Sequence, residues 1–393
     1  MRRSFAFLLL AAAGACAATP PHARPADVLG PFVGREELAG AVALVADREK
    51  VLSVAAVGFA DVEAAKPMKE DAVFWIASQS KGITAVAVMM LVDEGKLSLD
   101  DPVEKYLPEF KGQRVRAAAP APKPGAKGKP AAPQPEPEPV ASIHPITLRE
   151  VLSHVSGLPF KSEEETPTLD GLPLAAAVKT YAKAPLATQP GTHYQYSNAG
   201  INTAARVLEV VSGMPYEEFM QKRLFDPLGM KDTTFWPDAG QVARLAKTYK
   251  PDAAKKKLVP GGLNQLQADL SDRTRRFPMP AGGLFSTAAD VARFCRMLLN
   301  RGELDGRRYL SVKSFEALTT RQTPAALKES YGLGLNVGPD GFGHGGAQAT
   351  NMDIRMKDGI VVVWMVQHQG FPGQGAQAQG EFRKWAVKEY GKN

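Results

Sequence analysis

Residues 74–84 read Phe-Trp-Ile-Ala-Ser-Gln-Ser-Lys-Gly-Ile-Thr and lead into an apolar segment that runs from Ile83 to Leu91. The apolar segment predicts a helix, and Ser78 and Lys81, three residues apart, would share one of its faces. A lysine amine within hydrogen-bond reach activates a serine hydroxyl, which is otherwise a weak nucleophile. The positive field at a helix N-terminus favours the developing alkoxide and keeps the pKa of the lysine low. We therefore predict Ser78 as a nucleophile and Lys81 as its base.

A second candidate motif is Tyr194-Gln195-Tyr196-Ser197-Asn198-Ala199-Gly200. Tyr196 and Asn198 are two residues apart, so on a loop both side chains can point into one cleft. A tyrosine there can shuttle the serine proton if nearby cations lower its pKa. An asparagine can hold the lysine and a substrate carbonyl, because it is both donor and acceptor. The simpler interpretation is that Ser197 caps a helix, which leaves Tyr196 unexplained.

The third candidate motif is Phe342-Gly343-His344-Gly345-Gly346-Ala347. A glycine-rich edge strand lets a substrate carbonyl approach the backbone closely. We predict that the amide of Ala347 pairs with that of Ser78 to form an oxyanion hole. Gly346 lies beside it, and His344 lines the cleft opposite the tyrosine. By itself His-Gly-Gly indicates only a hairpin, and a lone histidine is more often structural.

Each motif is a weak signal alone, but the three follow the order of one enzyme family. S-x-x-K followed by further short motifs is the signature of β-lactamases and penicillin-binding proteins. The chain resembles the branch with Y-x-N second and [K/H/W]-x-G third, which includes class C β-lactamases, D-Ala-D-Ala carboxypeptidases and family VIII carboxylesterases. The resemblance covers residues 38–387, and further segments that carry it lie at 97–103, 146–158, 225–230 and 280–287.

The resemblance implies a serine hydrolase that works through an acyl-enzyme on Ser78 and needs no metal or cofactor. Lys81 and Tyr196 would share the general-base work, and Asn198 would orient the lysine and the substrate. Substrates of this class are small esters, amides or β-lactams.

His344 is the main departure from the β-lactamases of this branch, which usually carry lysine at that position. A histidine with a pKa of about 6.5 is mostly neutral at pH 7 and anchors a substrate carboxylate less firmly than a permanent cation. The substitution favours short-chain esters as substrates. The alternatives are a β-lactamase or D-Ala-D-Ala peptidase of the same fold and, from another class, a non-catalytic binding protein.

The predicted fold class is α+β, similar to that of β-lactamases and transpeptidases. Two β-rich runs near the N-terminus, 41–46 and 51–59, find predicted partners near the C-terminus at 343–347, 351–356 and 360–367, before a helix at 377–390. These segments form one antiparallel sheet with flanking helices. The middle of the chain is mostly helical, with predicted helices at 83–94, 147–153, 199–211, 216–224 and 288–300. We expect the active site in the cleft between the two regions, where the three motifs meet.

The N-terminus is typical of an exported protein. Arg2 and Arg3 precede an apolar run and the small residues Ala13 to Ala18, which predicts a signal peptide at residues 1–18 and a periplasmic or secreted hydrolase domain at 25–393. Cys16 leaves lipoprotein attachment open as an alternative. The apolar run is too short for a stable bilayer anchor, and no other stretch reaches membrane-spanning length.

Composition excludes several other functions. Without Arg2 and Arg3 the chain has 46 basic and 41 acidic residues, an excess too small to indicate a nucleic-acid partner. The two cysteines, Cys16 and Cys295, leave no internal disulfide in a processed chain, and no Cys/His cluster has the spacing of metal ligands. Residues 117–139 form a Pro/Ala/Lys-rich insert that we expect to be disordered. The sequence leaves the oligomeric state open.

Overall fold

The computed structural model describes residues 24–117 and 137–392. Its strands, in chain order, are β1 (Gly40–Ala46), β2 (Val51–Asp61), β3 (Lys66–Pro67), β4 (Phe74–Trp75), β5 (Arg114–Val115), β6 (Val140–Ala141), β7 (Tyr249–Pro251), β8 (Leu258–Pro260), β9 (Phe285–Ser286), β10 (Glu303–Leu304), β11 (Arg307–Arg308), β12 (Asn336–Val337), β13 (Phe342–Gly345), β14 (Asn351–Arg355) and β15 (Ile360–Met365). Most of the strands outside the central sheet are two residues long and pair loop segments with one another.

The helices alternate with these strands and concentrate in the middle of the chain. They are α1 (Pro25–Gly34), α2 (Ser80–Asp93), α3 (Leu148–Leu152), α4 (Leu174–Lys183), α5 (Asn198–Ser212), α6 (Tyr216–Met220), α7 (Asp226–Leu228), α8 (Ala239–Arg244), α9 (Ala288–Leu299), α10 (Val312–Thr319) and α11 (Ala378–Tyr390). Short 3-10 turns lie at Ala77–Gln79, Val103–Lys105, Pro108–Phe110 and Gly375–Gln377.

The central sheet has seven strands in the order β12-β13-β14-β15-β1-β2-β3, and the recorded pairings are antiparallel. β1 pairs with β15, with Val42 opposite Met365 and Ala43 opposite Trp364. The two ends of the chain therefore meet at the centre of the sheet, as the α+β prediction requires.

The two central strands are buried on both faces, which explains why both read as continuous apolar runs. Ala43 of β1 and Trp364 of β15 pack with Phe382 of α11 in one apolar cluster. The neighbouring positions Val42 and Met365 face the opposite side, in the larger core that includes α9. Successive side chains of a strand point to opposite faces, so one apolar run serves both layers.

The helical region is built around α2, whose residues are buried from Ser80 to Leu91. A helix that is apolar all round belongs inside a domain, and α2 packs against α5 and α10. α3 and α4 also pack against α5. This arrangement places the S-x-x-K helix in the interior, with only its N-terminal end at the cleft.

Most predicted elements appear within a few residues of their expected ends. α2 begins at Ser80 rather than Ile83, and α6 ends at Met220, where a wider helical turn, Gln221–Phe225, continues it. The predicted strand 343–347 is shorter at its C-terminal end, because Ala347 lies in a turn. The helices α1, α4, α8 and α10 were not predicted.

Several sequence predictions concern residues outside the described part of the chain. The signal peptide and Cys16 lie there, as does most of the 117–139 insert. The insert leaves and rejoins the fold at one place, because β5 pairs with β6 and the Arg114 side chain donates to Pro139 O at 2.9 Å. Within the described residues, no helix has the length and apolar character to cross a membrane. Cys295 is a buried core residue of α9.

Candidate active site

The cleft lies where the turn before α2 meets the end of β13. Gly346 follows β13, and a Cβ atom added to it would lie 2.5 Å from the carbonyl oxygen of Ile76. Thr350 Oγ1 donates to the same oxygen at 3.3 Å. The sheet and the helical region are thus in main-chain contact two residues before Ser78, and only glycine at position 346 permits this approach.

Ser78 stands in the 3-10 turn Ala77–Gln79 rather than in the helix itself. Ala77 has a φ of 47°, a left-handed conformation that costs a non-glycine residue about 1–2 kcal/mol. The Ser80 hydroxyl donates to Ala77 O at 2.6 Å and stabilises the turn. Ser78 is half-buried, whereas Ala77 and Gln79 are fully buried. The turn therefore presents one hydroxyl to the cleft.

Lys81 is completely buried, and its amine has three polar neighbours. Lys81 Nζ lies 3.1 Å from Ser78 Oγ, and it donates to Asn198 Oδ1 at 2.7 Å and to Ala281 O at 2.8 Å. Burial lowers the pKa of Lys81 well below its ordinary value, because low dielectric disfavours the ammonium. A neutral amine has two N–H donors and one lone pair. In the neutral form that acylation requires, both hydrogens are taken up by Asn198 and Ala281, and the lone pair would point to the Ser78 hydroxyl.

Asn198 reaches the lysine from the first turn of α5. The Ser197 hydroxyl caps this helix by accepting from the Gly200 amide at 2.9 Å, so the capping interpretation holds for Ser197. Capping sets the direction in which the chain enters α5, and it leaves Asn198 facing Lys81. Capping and a role for the neighbouring side chains are therefore compatible.

Tyr196 covers the lysine from the side of the cleft. Its ring centroid lies 4.6 Å from Lys81 Nζ, and its phenol hydrogen-bonds the Ser78 side chain. The expectation that nearby cations lower the pKa of Tyr196 is wrong. Burial raises that pKa well above its ordinary value, and the hydrogen bond to Ser78 offsets only part of the rise. Tyr196 is accordingly a neutral phenol beside the nucleophile.

His344 faces Tyr196 with 6.1 Å between ring centroids, but both of its nitrogens have protein partners. Nδ1 donates to Gly345 O at 2.6 Å, and Nε2 accepts from the hydroxyl of Tyr331 at 3.0 Å. Burial and the nearby Lys81 lower the pKa of His344 to about 3. The structure therefore places a neutral histidine in this wall, with its polar atoms turned toward protein rather than the cleft.

Ala347 follows Gly346 in an exposed turn. Its amide donates to no acceptor among residues 24–117 and 137–392. An unpaired amide at the rim of the cleft is free to bind a carbonyl oxygen of a ligand.

Three contributors to the site were not predicted. His154 is buried between Tyr196 and Tyr331, with centroid distances of 4.6 and 4.7 Å, and its Nδ1 accepts from the Ser197 amide at 3.2 Å. Its segment, 146–158, is one of those that carry the family resemblance, so the sequence contained a signal for His154. Ala281 lies in the segment 280–287, which also carries the resemblance, whereas Tyr331 stands in no recognisable motif. Among the described residues, no cluster of His, Cys, Asp and Glu could hold a metal ion.

Comparison with known proteins agrees with this geometry. A family model described as Beta-lactamase matches residues 26–381. An uncharacterized protein of Mycobacterium tuberculosis is 31% identical over 372 residues, covering 84% of this chain and 86% of the relative. The lovastatin esterase of Penicillium rubens is 31% identical over 307 residues, covering 72% of this chain and 71% of the relative.

The fold is also similar to that of solved structures. EstCE1, a hydrolase with promiscuous acyltransferase activity, has a TM-score of 0.73 at 23% sequence identity, with 93% of this chain and 97% of that chain covered. The sheet, the S-x-x-K turn and the family model spanning most of the chain lead to one conclusion: the protein belongs to the Beta-lactamase family and is a serine hydrolase.

Proposed function

We propose that the protein hydrolyses short-chain esters through an acyl-enzyme on Ser78. The observation that carries this proposal is the environment of Lys81, a buried amine that donates to Asn198 and Ala281 and lies 3.1 Å from Ser78 Oγ. In acylation Ser78 Oγ bonds to the ester carbonyl carbon while its proton moves to Lys81 Nζ. The carbonyl oxygen becomes an oxyanion, held by the amides of Ser78 and Ala347.

Collapse of this intermediate breaks the bond to the leaving alkoxide, which needs a proton. Tyr196 is placed to supply it, since its phenol contacts Ser78 and remains protonated at neutral pH. The resulting tyrosinate recovers a proton from the ammonium of Lys81, which leaves both groups neutral. In deacylation, water attacks the acyl carbon and gives one proton to this pair. As the bond between the acyl carbon and Ser78 Oγ breaks, the pair returns that proton to Oγ and the carboxylic acid leaves. The raised pKa of Tyr196 favours this relay over a standing tyrosinate.

The state of His344 supports esters over β-lactams. A β-lactam or peptide terminus carries a carboxylate, and its recognition needs a cation or free donors in this wall. His344 is neutral, and both of its nitrogens are engaged by Gly345 and Tyr331. The similarity to a lovastatin esterase supports the same choice. A β-lactamase or D-Ala-D-Ala peptidase activity is the alternative from the same family.

Labelling and turnover together test the proposal. Purified protein should bind a fluorophosphonate probe covalently and hydrolyse p-nitrophenyl butyrate faster than a chromogenic cephalosporin. Ser78→Ala should abolish both labelling and turnover. Ser98→Ala, which removes the hydroxyl of an exposed serine, should still label. Labelling that persists in Ser78→Ala would reject the site, and faster cephalosporin turnover would establish the alternative.

We also propose that the protein is exported, on the strength of the signal pattern at residues 1–18. In an expression host, the full chain should appear in the periplasmic fraction, and a chain lacking these residues should remain in the cytoplasmic fraction. If the wild-type protein incorporates a lipid label and the Cys16→Ser variant does not, the protein is a lipoprotein rather than a freely secreted enzyme.

A further inference from the structure

A chain of buried hydrogen bonds runs from Lys81 away from the cleft. Lys81 donates to the carbonyl of Ala281, and the amide of Ala281 donates to Asn202 Oδ1 at 3.0 Å. Asn202 Nδ2 donates to the hydroxyl of Tyr181 at 3.0 Å, which in turn donates to Glu165 Oε1 at 2.7 Å. We call Glu165, Tyr181 and Asn202 the brace.

The direction of every bond in the brace is determined by chemistry. Glu165 accepts at both oxygens, because the Ser162 amide donates to Oε2 at 2.8 Å. The Tyr181 hydroxyl must therefore donate to Glu165, and its lone pair accepts from Asn202 Nδ2. This orients the amide of Asn202, whose oxygen then faces Ala281. The carboxylate is thus connected through three hydrogen bonds to the peptide between Pro280 and Ala281.

The members of the brace are buried, and they come from separate parts of the chain. Glu165 lies in the loop before α4, Tyr181 in α4 and Asn202 in α5, and none is more than 3% exposed. A fully connected polar network in a low-dielectric interior holds its members rigidly. Breaking any link leaves a buried polar group unpaired.

The peptide at Ala281 needs such support. It stands in Pro280-Ala281-Gly282-Gly283, and two consecutive glycines leave the backbone free to take many conformations. On the other side, Thr84 Oγ1 donates to Pro280 O at 2.8 Å. Asn202 and Thr84 therefore bond to the two sides of one peptide, Pro280–Ala281. The carbonyl that accepts from Lys81 belongs to the following peptide, Ala281–Gly282, and is attached to the held peptide through the Cα of Ala281.

We propose that Glu165, Tyr181 and Asn202 are positioning residues for Lys81. They hold the Ala281 carbonyl so that it engages one N–H of the amine, which leaves the lone pair aimed at Ser78. The inference rests on the proposed function, because it assigns the brace a role in acylation. None of the three residues hydrogen-bonds Lys81 directly, so we expect them to affect kcat rather than substrate binding.

The test compares Tyr181→Phe and Asn202→Ala with Thr203→Val as a matched control. Thr203 is adjacent to Asn202 and equally buried, but its hydroxyl donates to Ala199 O in its own helix at 2.7 Å. The two brace variants should lower kcat and the rate of fluorophosphonate labelling by about tenfold with KM unchanged, since small misplacement of a reacting group is costly. Thr203→Val should keep both rates, whatever its effect on Tm.

The double variant sharpens the test. Because the links act in series, Tyr181→Phe combined with Asn202→Ala should be no slower than Asn202→Ala alone. The inference is overturned if the brace variants keep the wild-type kcat and labelling rate, or if only their KM changes. It is also overturned if the losses in kcat of the two single variants multiply in the double variant. The proposed function fails separately if Ser78→Ala still labels or if the cephalosporin is hydrolysed faster than the ester. Tyr181→Phe keeps the aromatic packing, so it remains informative if Asn202→Ala does not fold.

Discussion

The two walls of the cleft are built on different principles. In the helical wall, formed by Ser78, Lys81, Tyr196 and Asn198, polar side chains bond directly to one another around a buried amine. In the sheet wall, formed by His344, Gly346 and Ala347, the one polar side chain is engaged by protein on both nitrogens. What the sheet wall offers to a ligand is the backbone amide of Ala347.

The difference separates proton transfer from recognition. Proton transfer requires a base whose pKa is lowered, and burial provides this for Lys81 at the cost of desolvation. Recognition of a carbonyl oxygen requires only a donor at the right place, which a backbone amide supplies without a charged group. Changes in the helical wall should therefore abolish chemistry, and changes in the sheet wall should weaken or redirect it.

Lys81→Arg should have the largest effect. A guanidinium stays charged at all accessible pH values and cannot accept the Ser78 proton. We expect kcat to fall at least about a thousandfold, as for loss of a group from a cooperating set. Lys105→Arg, an exposed lysine paired with Asp101, serves as the control. Steady-state ester hydrolysis measures both, and a loss expressed only in KM would assign Lys81 to binding.

Gly346→Ala should separate the two walls. The added Cβ would meet Ile76 O at 2.5 Å and also Thr350 Oγ1, so the backbone on one side must move. A displacement of about 1 Å at a reacting centre costs about a hundredfold in rate. The control is Gly345→Ala, where the nearest atom to the new Cβ is 3.6 Å away. Equal kcat/KM in the two variants would show that the close approach is dispensable.

His344→Lys should alter the balance between substrates more than the rate. A lysine can extend its amine toward the cleft, and a charge-assisted hydrogen bond to a carboxylate contributes about 1.5–3 kcal/mol. We expect kcat/KM for a cephalosporin to rise about ten- to a hundredfold relative to the ester. His344→Gln, which stays neutral, should leave this ratio unchanged. A lysine variant with the same ratio would show that position 344 does not face a substrate carboxylate.

The smallest effect concerns the support behind the sheet wall. His368 accepts from the Ala39 amide at 3.2 Å and donates its own amide to Gln348 O at 3.0 Å. Burial lowers its pKa to about 4, against about 6.5 in an unfolded chain. The unfolded state therefore binds the proton first, and the stability from His368 is complete above pH 6.5 and lost as the pH falls toward 4.

We expect the free energy of unfolding to drop by about 1–2 kcal/mol more between pH 8 and pH 5 in the wild type than in His368→Gln. Urea titrations at the two pH values measure the difference. Parallel pH dependence in both proteins would mean that His368 is not buried in its neutral form.

Two segments distant in sequence, 160–174 and 247–276, are joined by buried polar contacts. An ion pair of 2.6 Å connects Asp170 of the first to Arg276 of the second. The amide of Leu169 also donates to Gln265 O at 2.9 Å. Removing one partner of a buried pair typically costs about 3–5 kcal/mol, so these contacts hold the two segments together.

Much of the fold could be predicted because its signals are local. The apolar runs of β1 and β15, the Asp-Gly turn between β14 and β15 and the apolar stretch of α2 each follow from short-range pattern. The helix α4 was not predicted, because it begins after Pro173 without a side-chain cap. The helix α10 was not predicted although Ser311 caps it by accepting from the Ser314 amide. The end of β13 was misjudged, because Gly345 and Gly346 permit both strand and turn.

The sequence by itself determined the nucleophile, its lysine and the tyrosine as candidates, since residue type and spacing on one helix or loop carry that information. Tertiary structure alone decided their chemistry. The pKa of Lys81 depends on burial by elements distant in sequence, and its lone-pair direction depends on the carbonyl of Ala281. The hydrogen-bond partners of His344 are the hydroxyl of Tyr331 and the carbonyl of Gly345 in the same strand as His344. These properties arise from the local dielectric and from contacts between distant segments, which no short pattern of residues encodes.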